Sequence, residues 1–207
     1  MPTRPSILTR RRILKSASRV FAGQGYEGAS IRDIVAKADV NQAAINYHFG
    51  SKEGLYRAVL EKALAALTNA DTEGATAAQS REAELRAFVC RQLRPMLARD
   101  ELSDYLRIFN WETVRPSPAF RKFMAQEAAP YVATATALVR RFLPQRATHE
   151  QAVLAALWLL GQCSIFVRNR EQLAHPPLAL TVDDAFIDRL ASTIAEWAAA
   201  ALSASRA

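Results

Sequence analysis

The sequence is poor in cysteine and glycine, with two cysteines, Cys90 and Cys163, and seven glycines in 207 residues. Two cysteines make no disulfide framework, and neither has another Cys or a His at zinc-finger spacing. We therefore expect reduced thiols, no metal site and no cofactor. The low glycine content, with half of the residues hydrophobic, excludes a disordered, collagen-like or low-complexity chain.

Long hydrophobic runs are also absent. The first twenty residues carry six cations and no seven-residue apolar run, so no secretory signal is expected. The longest uncharged stretch, 151–167, is shorter than the roughly 20 apolar residues that cross a bilayer, and we interpret it as a buried helix. These absences predict a cytoplasmic protein with no membrane partner.

Positive charge is concentrated at the start of the chain. Residues 1–62 hold eleven Lys or Arg against five acidic residues, whereas the remaining residues hold sixteen against fifteen. This asymmetry favours a polyanion-binding head on a nearly neutral body. The alternative is a basic surface that serves solubility alone.

Apolar residues recur every three or four positions, and no stretch alternates with a period of two, so we predict an all-α fold. The first helix, over 9–23, places Ile13, Ala17, Val20 and Phe21 on one face. The other predicted helices cover 30–37, 41–48, a longer segment capped by Ser51, 82–98, 101–114, 117–142, 149–172 and 182–202, with a linker at 71–79. Pro95 is expected to end or kink the helix over 82–98.

The second and third helices are joined by a tight turn through Asp39, which is the spacing of a helix-turn-helix DNA reader. With Ile45 fixed inward, Ala43, Asn46 and Tyr47 point outward and Gln42 flanks them near the helix start. Amide side chains can bind adenine bidentately, and a small alanine lets the backbone approach the bases. The alternative is an ordinary solvated face, which usually carries Lys and Glu.

Two cations stand where the helix dipole disfavours them. Arg32 lies in the first turn of the second helix and Lys52 in the first turn of the fourth. Each placement costs a few tenths of a kcal/mol in the free protein, but a bound phosphate would gain from both the cation and the helix N-terminus. The pattern therefore indicates phosphate contacts on both sides of the third helix.

Three segments resemble the N-terminal domain of TetR-family transcriptional regulators. They are Phe21-Ala-Gly-Gln-Gly-Tyr26, Ser30-Ile-Arg-Asp-Ile-Val-Ala36 and Ala44-Ile-Asn-Tyr-His-Phe49-Gly-Ser-Lys52-Glu-Gly-Leu55-Tyr56. The resemblance is dense over residues 9–60. It implies a dimer that binds operator DNA through the N-terminal domain and a helical C-terminal domain for ligand binding and dimerisation.

The resemblance also implies roles for individual residues. It makes Gln42, Ala43, Ala44 and Asn46 groove-facing and Arg32 a candidate base contact, with phosphate contacts from Ser30, Tyr47, His48 and Lys52. Asp39 stands where the family often has Gly, and Asp adopts the left-handed conformation at modest cost. Asn46 stands where the family often has Tyr, so the resemblance does not indicate which bases this chain prefers.

Beyond residue 70 the resemblance is to the CerR-like branch of TetR regulators. It rests on Ile108-Phe-Asn-Trp-Glu112, on Pro116-Ser-Pro118, and on Gly161-Gln-Cys-Ser-Ile-Phe166 with Arg168. This region is rich in aromatic residues, which form either a packed core or the lining of an effector pocket. The pocket hypothesis names Arg107, Phe109, Asn110, Trp111, Phe123, Trp158 and Gln162.

The last two predicted helices have wide apolar faces that could pack against a twofold copy as an intermolecular four-helix bundle. The residues expected at this homodimer interface are Val153, Leu157, Leu160, Phe186, Leu190, Ile194 and Trp197. A monomeric core is the alternative. A twofold dimer fits the DNA hypothesis, since one short helix reads too few base pairs.

The sequence therefore predicts a one-component regulator with a DNA-binding domain at 1–52 and an effector-binding and dimerisation domain at 53–207. We expect a repressor that a small-molecule effector releases from a pseudopalindromic operator, although activation is left open. With three histidines and no paired carboxylates at a recognisable site, no enzyme is expected. Two alternatives are a helical enzyme and a membrane-surface protein anchored by the basic first helix.

Overall fold

The computed structural model describes residues 4–68, 80–97 and 101–204. In this part of the chain every regular element is helical, which confirms the all-α prediction. The predicted linker at 71–79 lies outside the described residues. The α-helices are α1 (Arg4–Gly28), α2 (Ile31–Ala38), α3 (Gln42–Phe49), α4 (Lys52–Thr68), α5 (Arg81–Leu93), α6 (Glu101–Val114), α7 (Pro118–Arg140), α8 (His149–Arg168), α9 (Arg170–Ala174) and α10 (Asp184–Ala204).

Three helices compare with the sequence prediction as follows. Helix α1 begins earlier than predicted, at Arg4, and its helical geometry breaks at Gly25, whose φ of 69° and ψ of 177° suit glycine, before the helix ends at Gly28. The predicted helix over 82–98 consists of α5 and a 3₁₀ turn, Arg94–Leu97, which confirms the expected interruption at Pro95. The predicted helix over 149–172 is divided at Asn169 into α8 and α9.

The chain divides into two compact units, which do not follow the predicted boundary at residue 52. The first unit comprises residues 1–66 and 98–126, and the second comprises 67–97 and 127–207. The division at residue 52 concerns function and stays a prediction.

The core of the first unit brings α1–α4 together with α6 and the start of α7. All four apolar residues predicted for the inner face of α1 are buried, which confirms that face. They pack with Ile34 of α2, Ile45 of α3 and a run of apolar residues from α4. Tyr105 and Ile108 of α6 and Phe123 of α7 complete this core.

In the second unit, α5 packs against α8 and α10. Small side chains of α8 and α10, such as Ala156 and Ala191, are fully buried and allow close helix approach. At the surface of the unit, Arg94 pairs with Asp184 at 2.7 Å and Arg86 with Asp188 at 3.3 Å. Because both pairs are exposed, we assign the stability of this unit to its apolar core.

Helix α8 is buried on one face only, which corrects the prediction of a buried helix. One face, with Ala156 and Leu159, is buried, but Leu154, Leu157 and Ile165 on other faces are about half exposed. Among the described residues, α8 is the one helix long and apolar enough by length and composition to cross a membrane, and 28% of its apolar window is buried. An apolar helix with an open outer face indicates a surface that another element covers.

Candidate nucleic-acid interface

The turn between α2 and α3 is fixed by caps at each helix start. The Ser30 hydroxyl accepts a hydrogen bond from the Asp33 backbone N–H, and the Asn41 side-chain oxygen accepts one from Ala44 N–H, both at 3.0 Å. Asp39 ends α2 in the left-handed conformation, with φ 50° and ψ 57°. Such caps satisfy helix N–H groups that have no partner in the helix, so they define where α2 and α3 begin.

Arg12 of α1 holds this turn from outside. Its guanidinium donates to the carbonyl oxygens of Ala38 at 2.7 Å and Asp39 at 3.1 Å, and it pairs with the Asp39 carboxylate at 3.0 Å. It therefore satisfies carbonyl groups at the end of α2, where a cation is also favourable to the helix dipole. Sequence reasoning missed this role because the partners are 26 and 27 residues apart in the chain.

Helix α3 turns one residue inward and a polar, uncharged face outward. Ile45 is buried, whereas Gln42, Ala43 and Asn46 are exposed and Tyr47 is 80% exposed. Ala44 and His48 are half-buried at the edge of this face. The structure thus places Gln42, Ala43, Asn46 and Tyr47 together on one accessible surface.

The end of α3 carries three consecutive rings. Tyr47 lies edge-on to His48 with ring centroids 4.9 Å apart, and His48 and Phe49 are 6.1 Å apart. The Arg10 guanidinium carbon lies 5.2 Å from the centroid of the Phe49 ring. A Cβ at Gly54 would lie 2.1 Å from the Phe49 carbonyl oxygen, so glycine is required where α4 approaches the end of α3.

Lys52, at the start of α4, is held above an aromatic ring. Its Nζ lies 4.6 Å from the centroid of the Tyr26 ring and donates to the Glu27 carbonyl oxygen at 3.5 Å. Burial of Tyr26, followed by the nearby charges of Glu53 and Glu27, raises the pKa of its phenol, which keeps the ring uncharged at neutral pH. Arg32, in the first turn of α2, is exposed.

A buried hydrogen-bond network lies behind Tyr26, the ring that contacts Lys52. Tyr56 packs against the rings of Phe21 and Tyr26, with centroids 4.6 and 4.7 Å apart. Its hydroxyl donates to Glu112 Oε1 at 2.5 Å, and the same carboxyl group accepts from the backbone N–H and the hydroxyl of Ser117. Burial and the Glu112 hydrogen bond raise the pKa of Tyr56, so its hydroxyl stays a donor.

The seven residues predicted for an effector pocket are divided between the two units. Five belong to the first unit: Phe123 is buried in its core, Phe109 packs edge-on against Phe120 at 5.6 Å, Trp111 donates to the Ala22 carbonyl at 3.1 Å, Arg107 is exposed, and the side chain of Asn110 lies outside the described part of the structure. Trp158 and Gln162 belong to the second unit. Their common assignment to an effector pocket stays a prediction.

The described surface includes an open groove in each unit. In the second unit, α7 and α8 border a groove of about 680 Å³ lined mainly by alanine and valine, with Arg140 and His149 among its polar residues. None of the seven pocket residues lines it. In the first unit, a groove of about 310 Å³ includes Phe123, with Lys122 paired to Glu53 at 3.0 Å.

Two of the predicted dimer residues are exposed, and four are half-buried. Trp197 is 69% exposed, Leu157 is exposed, and Val153, Leu160, Phe186 and Leu190 are half-buried. Ile194 is an exception: at 5% exposure it belongs to the core of its own chain, and its assignment to the interface is corrected. Sequence reasoning missed Leu154 and Ile165 and assigned Trp158 to the pocket, although all three are exposed on α8.

Metal-binding and nucleophilic groups give no second candidate site. Within residues 4–68, 80–97 and 101–204, no group of three or more His, Cys, Asp or Glu could hold a metal ion. Burial raises the pKa of the Cys163 thiol to about 12, so this sulfur stays protonated and unreactive at neutral pH. Cys90 is half-buried.

Comparison with known proteins assigns both parts of the chain. Residues 13–59 match the family of bacterial regulatory proteins described as the tetR family, and residues 81–205 match the C-terminal domain of the HTH-type transcriptional dual regulator CecR. The branch predicted for the C-terminal region is CerR-like, whereas the matching family is named for CecR.

Curated relatives and a solved structure agree with these matches. The chain is 32% identical over 134 residues to the HTH-type transcriptional repressor Rv1474c of Mycobacterium tuberculosis, with 64% of this chain and 65% of that protein covered. It is 26% identical over 174 residues to CecR of Shigella flexneri, with 79% and 78% covered. AibR, crystallised with isovaleryl coenzyme A and operator DNA, shares the fold at TM-score 0.65 and 17% identity, with 91% and 97% covered.

The chain spans just under two thirds of the Rv1474c protein, and both curated relatives are named as regulators rather than enzymes. The family matches cover the helix-turn-helix segment and most of the helical body. The chain therefore belongs to the TetR family of bacterial regulatory proteins.

Proposed function

We propose that the protein is a homodimeric transcriptional repressor that binds a pseudopalindromic operator through α3. One observation carries this proposal: the outer face of α3 is accessible, uncharged and rich in hydrogen-bonding groups, while cations stand at the starts of α2 and α4. Neutral amide groups suit base edges, and cations at helix N-termini suit phosphates. No acidic side chain occurs within α3.

The residues divide into two groups by chemistry. Gln42, Ala43, Ala44 and Asn46 face the bases of the major groove, and Arg32 reaches a base edge from α2. Ser30, Tyr47, His48 and Lys52 contact phosphates. Base contacts determine which sequence is bound, whereas phosphate contacts set the position of the protein and the salt dependence of binding.

Dimerisation uses the open faces of α8 and α10. Leu154, Leu157, Trp158 and Ile165 of α8 supply one part of the interface, and Phe186, Leu190 and Trp197 of α10 supply the other. Val153 and Leu160 lie at the edge of this surface. The exposure of Leu154, Leu157, Trp158, Ile165 and Trp197 supports the proposal, because neighbouring apolar side chains on one helix face often mark an interaction site. Two reading helices one DNA turn apart, about 34 Å, then engage the two half-sites.

An effector acts in the helical body, residues 53–207, and releases the DNA-binding domain, residues 1–52. The alanine-lined groove between α7 and α8 has a volume of about 680 Å³, which is in the range of small-molecule sites. AibR, which shares the fold, was crystallised with both isovaleryl coenzyme A and operator DNA, so this fold can hold a small molecule and DNA. The effect on operator affinity cannot exceed the effector's preference between the two states, and such couplings are typically about 5- to 150-fold.

The protein acts in the cytoplasm, where its operator is, and carries out no catalysis. Its curated relatives support this assignment by their names, which describe transcriptional regulators. The alternatives of a helical enzyme and a membrane-anchored protein gain no specific support from the described residues.

The proposal predicts different outcomes for two substitutions in the DNA-binding domain, of which the dimer has two copies, called heads below. Lys52→Ala should weaken binding to every duplex and lower the slope of log K against log salt by about 1.8 per dimer, from one phosphate contact in each head. Gln42→Ala should leave the slope unchanged and relax sequence preference at one position of each half-site, by about 1 to 3 kcal/mol.

The measurement is fluorescence anisotropy over a salt series, on a duplex that the native protein enriches from a random DNA pool. Arg146→Gln, an exposed cation of the second unit, is the control for general loss of charge. Failure of the native protein to enrich any sequence would refute the proposed function. Equal effects of Lys52→Ala and Arg146→Gln on the slope would refute the phosphate assignment.

A further inference from the structure

Two cations beside α3 rest on aromatic rings. Arg10, from α1, places its guanidinium carbon 5.2 Å from the ring centroid of Phe49, the last residue of α3. Lys52, from α4, places its Nζ 4.6 Å from the ring centroid of Tyr26. Both distances lie within the range of cation–π attraction. Neither cation makes an ion pair among the residues that the structure describes.

A ring holds a cation without neutralising it. An acidic partner would have to be displaced before a phosphate could bind, whereas a ring face leaves the positive charge and its N–H donors available. Long basic side chains lose rotamer entropy when they are fixed, so a ring that restricts them before binding lowers this cost. Arg12, two residues from Arg10, shows the contrast: it is committed to Asp39 and the end of α2.

The rings themselves are held in place. Tyr26 packs against Tyr56 at 4.7 Å and against Phe21 at 6.3 Å, and Phe21 and Tyr56 are fully buried. Phe49 packs against the core and lies beside His48, in the run of rings that ends α3. Arg10 is thereby brought from the first helix to the end of the reading helix, although nearly forty residues separate it from Phe49 in the chain.

We propose that Phe49 and Tyr26 are positioning residues that hold Arg10 and Lys52 ready for the phosphates of bound DNA. Arg10 is then a further contact to the DNA phosphate backbone. The proposal rests on the proposed function, because it requires a DNA duplex at α3. It adds one phosphate contact per head, and it gives two aromatic residues a role in binding strength besides packing.

The test compares salt slopes and a double-mutant cycle on the duplex enriched by the native protein. Arg10→Gln should lower the slope of log K against log salt by about 1.8 per dimer, and Arg10→Lys should restore it. Phe49→Leu should weaken binding about five- to thirtyfold per dimer, because one freed Arg10 side chain in each head must then be ordered when DNA binds. In the Arg10→Gln background, Phe49→Leu should have little further effect.

Two further variants keep the test decisive if Phe49→Leu fails to fold. Tyr26→Leu should weaken binding in the native background but not in a Lys52→Gln background, and Tyr26→Phe should bind as the native protein does. Lys15→Gln is the matched charge control, since Lys15 lies about 140° around α1 from Arg10. Circular dichroism melting curves establish which variants are folded.

The outcomes separate the two proposals. If the native protein enriches no duplex, the proposed function fails. If Lys52→Gln lowers the slope while Arg10→Gln and Lys15→Gln have the same small effect, the proposed function stands and the role of Arg10 is refuted. Equal effects of Tyr26→Leu with and without Lys52 would show that Tyr26 acts through packing alone and would overturn its positioning role.

Discussion

Leu157→Asp is expected to convert the protein to a monomer and to weaken operator binding by more than about 100-fold. Leu157 is exposed on α8, next to Leu154 and Trp158, on the side that its own chain does not cover. At a twofold interface each substitution acts twice and brings two carboxylates into an apolar surface. Burying unpaired charges costs several kcal/mol, which is enough to prevent association at micromolar concentration.

The loss of DNA binding follows from the geometry of recognition. A single eight-residue helix contacts too few base pairs for tight binding, and two covalently independent heads lose the advantage of joint binding. Sedimentation velocity measures the oligomeric state, and anisotropy on the enriched duplex measures affinity. Leu178→Asp, at an exposed leucine of the segment between α9 and α10, is the control for a surface carboxylate.

Two results would contradict this prediction. If Leu157→Asp sediments as the native protein does, the open face of α8 is not the dimer interface. If the variant is monomeric but binds the operator as tightly as the native protein, then a single head is sufficient and the dimer has another role. A dimeric Leu178→Asp with native affinity completes the expected pattern.

The secondary structure was predictable where local chemistry determines it. The predicted starts of the second and third helices, at residues 30 and 41, coincide with the caps Ser30 and Asn41, because a cap needs only a side-chain oxygen and an N–H group three residues later. The inner face of α1 was predictable for a similar reason, since its spacing alone defines a stripe. The buried face of α8 was not predictable, because α8 is apolar on opposite faces and periodicity does not tell which of them packs against its own chain.

Contacts between distant residues account for what sequence reasoning missed at the candidate site. The outward position of Gln42, Asn46 and Tyr47 follows from fixing Ile45 inward, a step that uses neighbours within one helix. The partners of Arg10 and Arg12 lie on other helices, at separations that no local pattern reveals. The sequence therefore locates the reading surface but not the residues that hold it.

The aromatic residues of α6 show what composition leaves open. A large apolar side chain suits a pocket as well as a core, and Phe109 and Trp111 are predicted from the sequence to line a pocket. In the structure Trp111 donates a hydrogen bond to the Ala22 carbonyl of α1, and Phe109 packs with Phe120. Both partners belong to the first unit, and no local sequence pattern reveals these contacts.

Glu112→Ala is expected to lower the free energy of unfolding by about 3 to 5 kcal/mol. The Glu112 side chain is 3% exposed and accepts hydrogen bonds from the Tyr56 hydroxyl at 2.5 Å, the Ser117 N–H at 2.6 Å and the Ser117 hydroxyl at 2.9 Å. Alanine leaves the Tyr56 hydroxyl and the Ser117 N–H buried without this acceptor, and each such group costs about 1 to 3 kcal/mol.

Two milder variants separate hydrogen bonding from packing at this position. Glu112→Gln keeps one acceptor oxygen, so it should cost less than Glu112→Ala, and Tyr56→Phe removes one bond while preserving the ring stack on Phe21 and Tyr26. Urea denaturation followed by circular dichroism gives all three values. If Glu112→Ala unfolds within about 1 kcal/mol of the native protein, the network contributes little. Because Tyr56 backs the ring that holds Lys52, a destabilised Glu112→Ala should also bind the enriched duplex more weakly, which links the buried network to the reading surface.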